Sequence, residues 1–595
     1  MTPTRTLIMR RTGAVAALAA AAAFAAPATA GAAATPSLNG TTLTVTGDDT
    51  ADAITIAEAN GKLTVNGSEN LGGGATAPAD NTIDLVLNSG GGDDTITVAT
   101  ANLKSVTADG QAGDDLLTGN NDADALRGGD GDDRVTGAKG DDDMEGGAGN
   151  DVLVWNNGDN SDTMDGDAGA DEIEVNGAAT AGDVFTINPS GSRVDFDRTN
   201  LVPFSLDVSA ERMAINGLGG GDSVTGAQGL APLVALALNG GTGADSITGG
   251  DGADLITGGD AVDTLDGAGG GDRVIGDRGN DVMGGGTGDD TLVWNNGDNS
   301  DRMDGGDGLD RIEVNGAGAG DVFTIAPNGG RARFDRTNLV PFTLDIGSAE
   351  ALDARGQGGN DSLAAQYGTG SLLAVTADGG AGDDVLTGAE EADSLFGGSG
   401  NDQLTGGAGP DLLDGQDGDD TLRARDGQSD LARGGAGADA AQTDALGVDV
   451  WDGIEAVDAP VIAPVAPAPA PDAKATAVGV GSKRAAVRLR GGRASTRLAL
   501  SCPAAEAGGC AGTLTLVSAK PVRIGSQRVI VVLGSARYSL GAGQRRTVTV
   551  KLPKGVRKLA SKGAIAARAQ TVTRDAAGNT AAASRAVSLR LPKQR

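Results

Sequence analysis

The chain has no histidine among its 595 residues, only two cysteines, and aromatic side chains at just 2% of positions. Without histidine there can be no Ser-His-Asp triad, Cys-His pair or histidine-ligated zinc. With so few aromatics, and an apolar fraction inflated by alanine, most of the length cannot hold a core of large side chains. Apolar runs long enough for a membrane helix are also missing; the longest, near the N-terminus, falls short of a bilayer. Basic residues are scarce in the body: residues 1–472 carry 79 acidic and 22 basic side chains. Residues 473–595 reverse this with 2 acidic and 24 basic, which describes an acidic body with a basic tail domain. An acidic chain poor in aromatics would ordinarily be disordered. The rest of the sequence argues otherwise.

What is abundant is glycine, 100 residues of it, and it is periodic. From Gly110 the chain reads GQAGDDLLT, GNNDADALR, GGDGDDRVT, GAKGDDDME, GGAGNDVLV in unbroken nines, with a further unit at Gly166. A second array runs from Gly240 to Val293, with a further unit at Gly305, and a third starts at Gly379 and decays after residue 423. In these 18 units position 1 is always Gly, position 6 always Asp, and position 8 always Leu, Ile, Val or Met. Position 4 is Gly except at Asp122, Ala261 and Glu391. Disorder gives no reason to keep one apolar residue in phase with one carboxylate, so the period reads as a solenoid.

Glycines at positions 1, 2 and 4 permit a tight turn through positive φ. Residues 7 to 9 then form a short strand with position 8 inward, and two nonapeptides make one coil turn. Stacked strands lie about 4.8 Å apart. Position 6 carboxylates at that spacing repel by roughly 1 kcal/mol in water and by several at an effective dielectric near 20. A divalent ion between successive loops reverses that sign, and calcium accepts six to eight hard oxygens of the carboxylate and carbonyl kind. Folding is therefore expected to be coupled to binding.

The pattern GGxGxDxUx resembles the haemolysin-type, or repeats-in-toxin (RTX), calcium-binding repeat, matched in full by GGDGDDRVT at Gly128, GGDGADLIT at Gly249 and GGSGNDQLT at Gly397. The resemblance implies an all-β parallel β-roll binding multiple Ca2+ ions through position 6 aspartates and glycine carbonyls. The ligands it implies are Asp115, Asp124, Asp133, Asp142, Asp151 and Asp171 in the first array. In the second they are Asp245, Asp254, Asp263, Asp272, Asp281, Asp290 and Asp310, and in the third Asp384, Asp393, Asp402, Asp411 and Asp420. Asp171 and Asp310 stand apart from their arrays. The layout is also similar to secreted calcium-binding proteins of actinobacterial type. The family's toxins and enzymes carry a catalytic or pore-forming module, and none is visible here.

Around the arrays the reading divides the chain as follows. Residues 1–30 read as an export signal, with Arg5, Arg10 and Arg11 before an apolar stretch and Ala28-Thr29-Ala30 as a cleavage site. Residues 31–108 carry short alternating strands, and 109–177, 240–316 and 379–458 hold the arrays. Residues 178–239 and 317–378 are duplicated strand inserts, DVFTINPSGSRVDFDRTNLVPF recurring as DVFTIAPNGGRARFDRTNLVPF. Residues 459–472 form a Pro/Ala linker, and 473–595 alternate like a small β-sandwich. Trp155 and Trp294, in the repeated WNNGDNSD, are expected to cap a roll edge rather than stack on a sugar. Cys502 and Cys510 are expected to pair in an exported chain. The function expected is a secreted or cell-surface, non-catalytic calcium-binding protein with a structural or adhesive role. Its basic domain would either be a soluble sandwich with a solvated positive face, docking onto the chain's own acidic solenoid, or attach to anionic cell-wall polymer or polysaccharide, with no nucleic acid and no membrane span. The alternative is an enzyme acting on extracellular polysaccharide.

Overall fold

The computed structural model describes residues 34–100, 103–444, 448–458, 478–481, 484–490, 493–503, 510–520, 522–524, 527–529, 531–552, 564–574 and 580–590. The expected export signal and the Pro/Ala linker fall outside them. Among the described residues every regular element is a strand, and no helix is long and apolar enough to cross a membrane. Residues up to 154 together with 159–171 form one compact unit, and 155–158 with 172 onward form the other.

In the first unit the coil is parallel and its register equals two nonapeptides. Leu116–Thr118, Arg134–Thr136 and Val152–Asn156 stack with Leu117, Val135 and Leu153 opposite one another. The intervening nonapeptides supply the other wall, where Leu126, Met144 and Met164 face each other. All six are position 8 side chains or its equivalent, and all are buried. Period two within each three-residue strand turns that one apolar side chain inward. The core is thus a narrow double file of branched aliphatics and methionine. Ahead of the array, Thr42–Thr46 joins the same wall through Asp84–Asn88 and Ser105–Ala112.

The second unit repeats this coil. Ile256, Val274, Leu292 and Ile312 form one file, and Ile247, Leu265, Met283 and Met303 the other. Each duplicated insert breaks the parallel rule with an antiparallel meander: Val184–Ser190, Arg193–Arg198 and Phe204–Ser209, then Val322–Asn328, Arg331–Arg336 and Phe342–Gly347. Here the aromatics gather. Trp155 stacks on Phe204 with ring centroids 3.9 Å apart, and Trp294 on Phe342 at 3.8 Å, with Phe185, Phe196, Phe323 and Phe334 alongside. Both tryptophans are fully buried, so they are core residues rather than an edge cap, and neither offers a face to a sugar.

The described residues between 478 and 590 form a mainly antiparallel, barrel-like β domain with its own core, including Leu498, Leu500, Leu514, Leu516, Val550 and Leu589. Cys502 and Cys510 are joined there by a disulfide.

Candidate metal centre: columns of buried aspartate

The position 6 aspartates line up one above another on the turns. In the first unit the backbone N–H of each donates to Oδ1 of the next rung: Asp52 to Asp94, Asp94 to Asp115, Asp115 to Asp133, Asp133 to Asp151 and Asp151 to Asp171, at 2.6–2.9 Å. A second column there runs Asp124, Asp142, Asp162. In the second unit one column runs Asp183, Asp222, Asp245, Asp263, Asp281, Asp301, and another Asp254, Asp272, Asp290, Asp310. Further on come Asp321, Asp361, Asp384, Asp402, Asp420, Asp439 and, separately, Asp393, Asp411, Asp430, Asp449. All eighteen aspartates expected from the sequence are rungs. Asp171 and Asp310, which stand outside the unbroken repeats, stack as the others do.

Eleven rungs were missed. Asp94, Asp222, Asp361 and Asp439 close imperfect units (SGGGDDTIT, GLGGGDSVT, GQGGNDSLA, GGAGADAAQ) that could have been read from the same phase. Asp162 and Asp301 were hidden by a two-residue insertion. Once Trp155-Asn156 and Trp294-Asn295 are removed, NGDNSDTMD and NGDNSDRMD are nonapeptides with Asp at position 6 and a buried Met at position 8. The rung spacing is then 20 residues rather than 18. Asp52 and Asp321 keep Gly at position 1 and a buried apolar residue at position 8 (GDDTADAIT, GAGAGDVFT), whereas Asp183, Asp430 and Asp449 have Ala178, Arg425 and Asp444 where the repeat has glycine.

The interior rungs share one defect. Oδ2 of Asp115, Asp133, Asp151, Asp245, Asp263, Asp272, Asp281, Asp384, Asp402, Asp411 and Asp420 is buried and accepts no hydrogen bond. It lies in a cradle made by glycine at position 1. A Cβ on Gly110 would meet both Asp115 Oδ2 and the carbonyl oxygen of Gly128 on the next turn, and Gly128, Gly240 and Gly267 repeat the arrangement. Position 1 glycines therefore keep this space open. Positive φ belongs to positions 2 and 4, as at Gly129 (128°) and Gly131 (137°), so the expectation that position 1 also needs it is corrected.

Burying an unpaired carboxylate is costly, and the rungs respond. Burial is the largest cause that lifts Asp115 to about 8, Asp133 to about 7 and Asp151 to about 6, with neighbouring rungs adding repulsion. Asp272, Asp281 and Asp411 rise to about 8 for the same reasons. A column of buried, unpartnered carboxylate oxygens beside backbone carbonyls is a hard-oxygen donor set that suits calcium. When bound, the ion supplies the positive charge the column lacks.

The head of each column differs. There Oδ2 accepts the N–H of a residue four or five positions earlier: Asp48 to Asp52, Asn120 to Asp124, Ala178 to Asp183, Gly250 to Asp254, Ala317 to Asp321 and Ala389 to Asp393. Three expected ligands, Asp124, Asp254 and Asp393, are therefore heads whose carboxylates cap their own loop. At Asp183 and Asp321 a second partner appears. Buried Arg198 meets Asp183 at 3.2 Å and buried Arg336 meets Asp321 at 3.3 Å. Each guanidinium also lies over the Trp and Phe rings and donates to Asn157 or Asn296.

Fold and columns together define a parallel β-roll whose glycine turns carry stacked carboxylates. The family model of the RTX calcium-binding nonapeptide repeat (4 copies) matches residues 107–133, 118–153, 238–265, 257–292, 376–404 and 396–431. The three arrays belong to that family, and the protein binds calcium ions at multiple sites along them. No curated protein matches the chain.

Proposed function

We propose that the protein is exported and works outside the cell as a calcium-stiffened, non-catalytic structural or adhesive element. The ligands would be the interior rungs, while the head carboxylates of Asp254 and Asp393, engaged by backbone N–H groups, contribute little. The observation that carries this reading is the run of buried Oδ2 atoms with no partner. Extracellular modules typically bind calcium at about 10⁻⁴–10⁻³ M, so the coil would form on reaching a calcium-rich medium. The basic domain supplies a place of attachment. Arg484, Arg488, Arg497 and Lys551 are exposed on neighbouring strands whose register places them on one face with Ser495 and Thr549. That face suits a polyanion such as a cell-wall polymer.

Circular dichroism of the full chain during calcium titration tests the first half. The β signal should rise with calcium and collapse in excess chelator; a signal indifferent to both would refute it. Retention of the chain on cell-wall material at low salt, with release at high salt, tests the second.

A further inference from the structure

Each meander exposes a short apolar tip that the calcium chemistry does not use. Between Arg198 and Phe204 the chain reads TNLVP, and between Arg336 and Phe342 it reads TNLVP again. Leu201 and Val202 are 52% and 67% exposed, and Leu339 and Val340 are 53% and 69%. Packing explains why the flanking Arg and Phe recur, since all are buried, but not why the solvated Leu and Val do. The hairpin at the opposite end of each meander, also exposed, has drifted from PSGS at Pro189 to PNGG at Pro327. The tips are braced as well. Arg198 Nε donates to the Val202 carbonyl and Arg336 Nε to that of Val340, each at 2.9 Å. Asn200 and Asn338 tie down the base, accepting the N–H of Val184 or Val322 and donating to the carbonyl of Gly182 or Gly320. Leu201 and Leu339 both hold φ at 48°, a left-handed conformation that leucine rarely adopts.

We infer that the two tips are paired anchors for a lipid surface, engaged together once calcium has folded the array between them. An unbroken run of parallel strands links Val184–Ser190 to Phe342–Gly347, and each tip sits where one of these strands begins, so both leave the coil on one edge. Five strands lie between, beginning at Ser223, Ser246, Thr264, Val282 and Arg302. At about 4.8 Å per strand that puts the tips roughly 40 Å apart. Exposed Leu218 and Val262 stand on turns of the same edge between them. The sparseness of this edge names its occupant. A stable protein interface takes roughly 20–30 residues a side, and a protein would also need two matching pockets at that spacing. A lipid layer needs neither, because it admits an apolar side chain anywhere along its surface. The acidic surplus of residues 1–472 opposes an anionic layer and favours a zwitterionic one. One small anchor is marginal, as a single acyl chain is; two on a rigid bar act together. The bar is the second array, so attachment depends on calcium although the tips themselves are held by Arg198 and Arg336.

The inference rests on the calcium reading of the arrays, and the experiment separates the two. The full chain is floated with phosphatidylcholine vesicles in saturating calcium and in excess chelator, and the β signal is recorded on the same samples. Zwitterionic vesicles give the basic domain nothing to hold. The protein should float in calcium and stay down in chelator. Leu201→Asn with Val202→Ser should weaken partitioning at least about tenfold, asparagine being at ease at positive φ. Leu339→Asn with Val340→Ser should do the same. All four together should abolish flotation and leave the calcium-induced β signal at the wild-type level. Where the Asn substitutions lower that signal, Val202→Ser and Val340→Ser alone take their place. Ser190→Ala, on the opposite hairpin, should change nothing. A wild type that stays down in calcium or floats equally in chelator overturns the proposal, as do tip variants that float like the wild type. A calcium-loaded dimer that the tip variants split into monomers also overturns it, by giving the edge to a second copy of the chain. A β signal that rises with calcium in a chain that never floats removes the lipid edge alone. A β signal indifferent to calcium removes the calcium reading, and this inference with it.

Discussion

Asp321 and Asp402 are the head and the fourth rung of one column, yet they solve the same electrostatic problem differently. Asp321 is fully buried with both oxygens engaged, Oδ2 by the Ala317 N–H and Oδ1 by the Arg336 guanidinium. Asp402 is equally buried, but its Oδ2 has no hydrogen bond. The insert carries its own cation, with an aromatic cluster to hold it; the array has neither and depends on the medium. A metal-dependent fold can thus contain metal-independent segments, and the partner of the carboxylate decides which is which. The duplicated inserts should remain ordered under conditions that melt the arrays.

The largest expected effect comes from protons. Rungs raised from a usual 3.8 to between about 6 and 8 hold protons in the coil that the unfolded chain releases. Their stabilisation is fully present below the unfolded pKa near 4 and is lost as pH rises through about 6 to 8. In chelator, the β signal near pH 5 should exceed that near pH 8, the reverse of ordinary acid unfolding, and saturating calcium should flatten the profile. A chelated protein that loses structure on acidification would break the comparison on the array side.

Next in size is removal of the internal cation. Arg336→Ala leaves Asp321 buried and unpaired, which costs about 3–5 kcal/mol, and the loss should appear equally with and without calcium in urea unfolding followed by tryptophan emission. Arg336→Lys should recover part of it, since an ammonium restores the charge but not the stacked fork. A calcium-dependent loss would mean that the inserts are not autonomous.

The smallest effect sharpens the distinction between head and interior rung. Asp402→Asn should remove a ligand and lower the calcium count found by calorimetry. Asp393→Asn should leave the count unchanged and cost about 1 kcal/mol, the worth of a loop cap. Equal losses of calcium from the two variants would erase the distinction.

Much of this was legible in the sequence. The nonapeptide phase gave the parallel coil, the inward position 8 and eighteen of the rungs, because one apolar residue and one carboxylate per nine can be reconciled only by a two-unit turn. What could not be read was place in the stack. GGDGADLIT at Gly249 matches the motif in full, yet Asp254 heads its column and is capped by Gly250. Asp310 looks isolated, yet it is the last rung of that column, accepting the Asp290 N–H and donating its own to Glu350. Whether a rung has a loop above it depends on where the inserts interrupt the coil, a long-range property. The pairs Arg198–Asp183 and Arg336–Asp321 join residues 15 apart across a meander, and no local pattern marks them.

Amide hydrogen exchange on the full chain, with saturating calcium and then with excess chelator, tests the central claim most directly. Protection over 240–290 and 379–423 should vanish in chelator while that over 184–216 and 322–355 persists. Arrays that stay protected without the metal would contradict it, because their buried carboxylates would then need no cation at all.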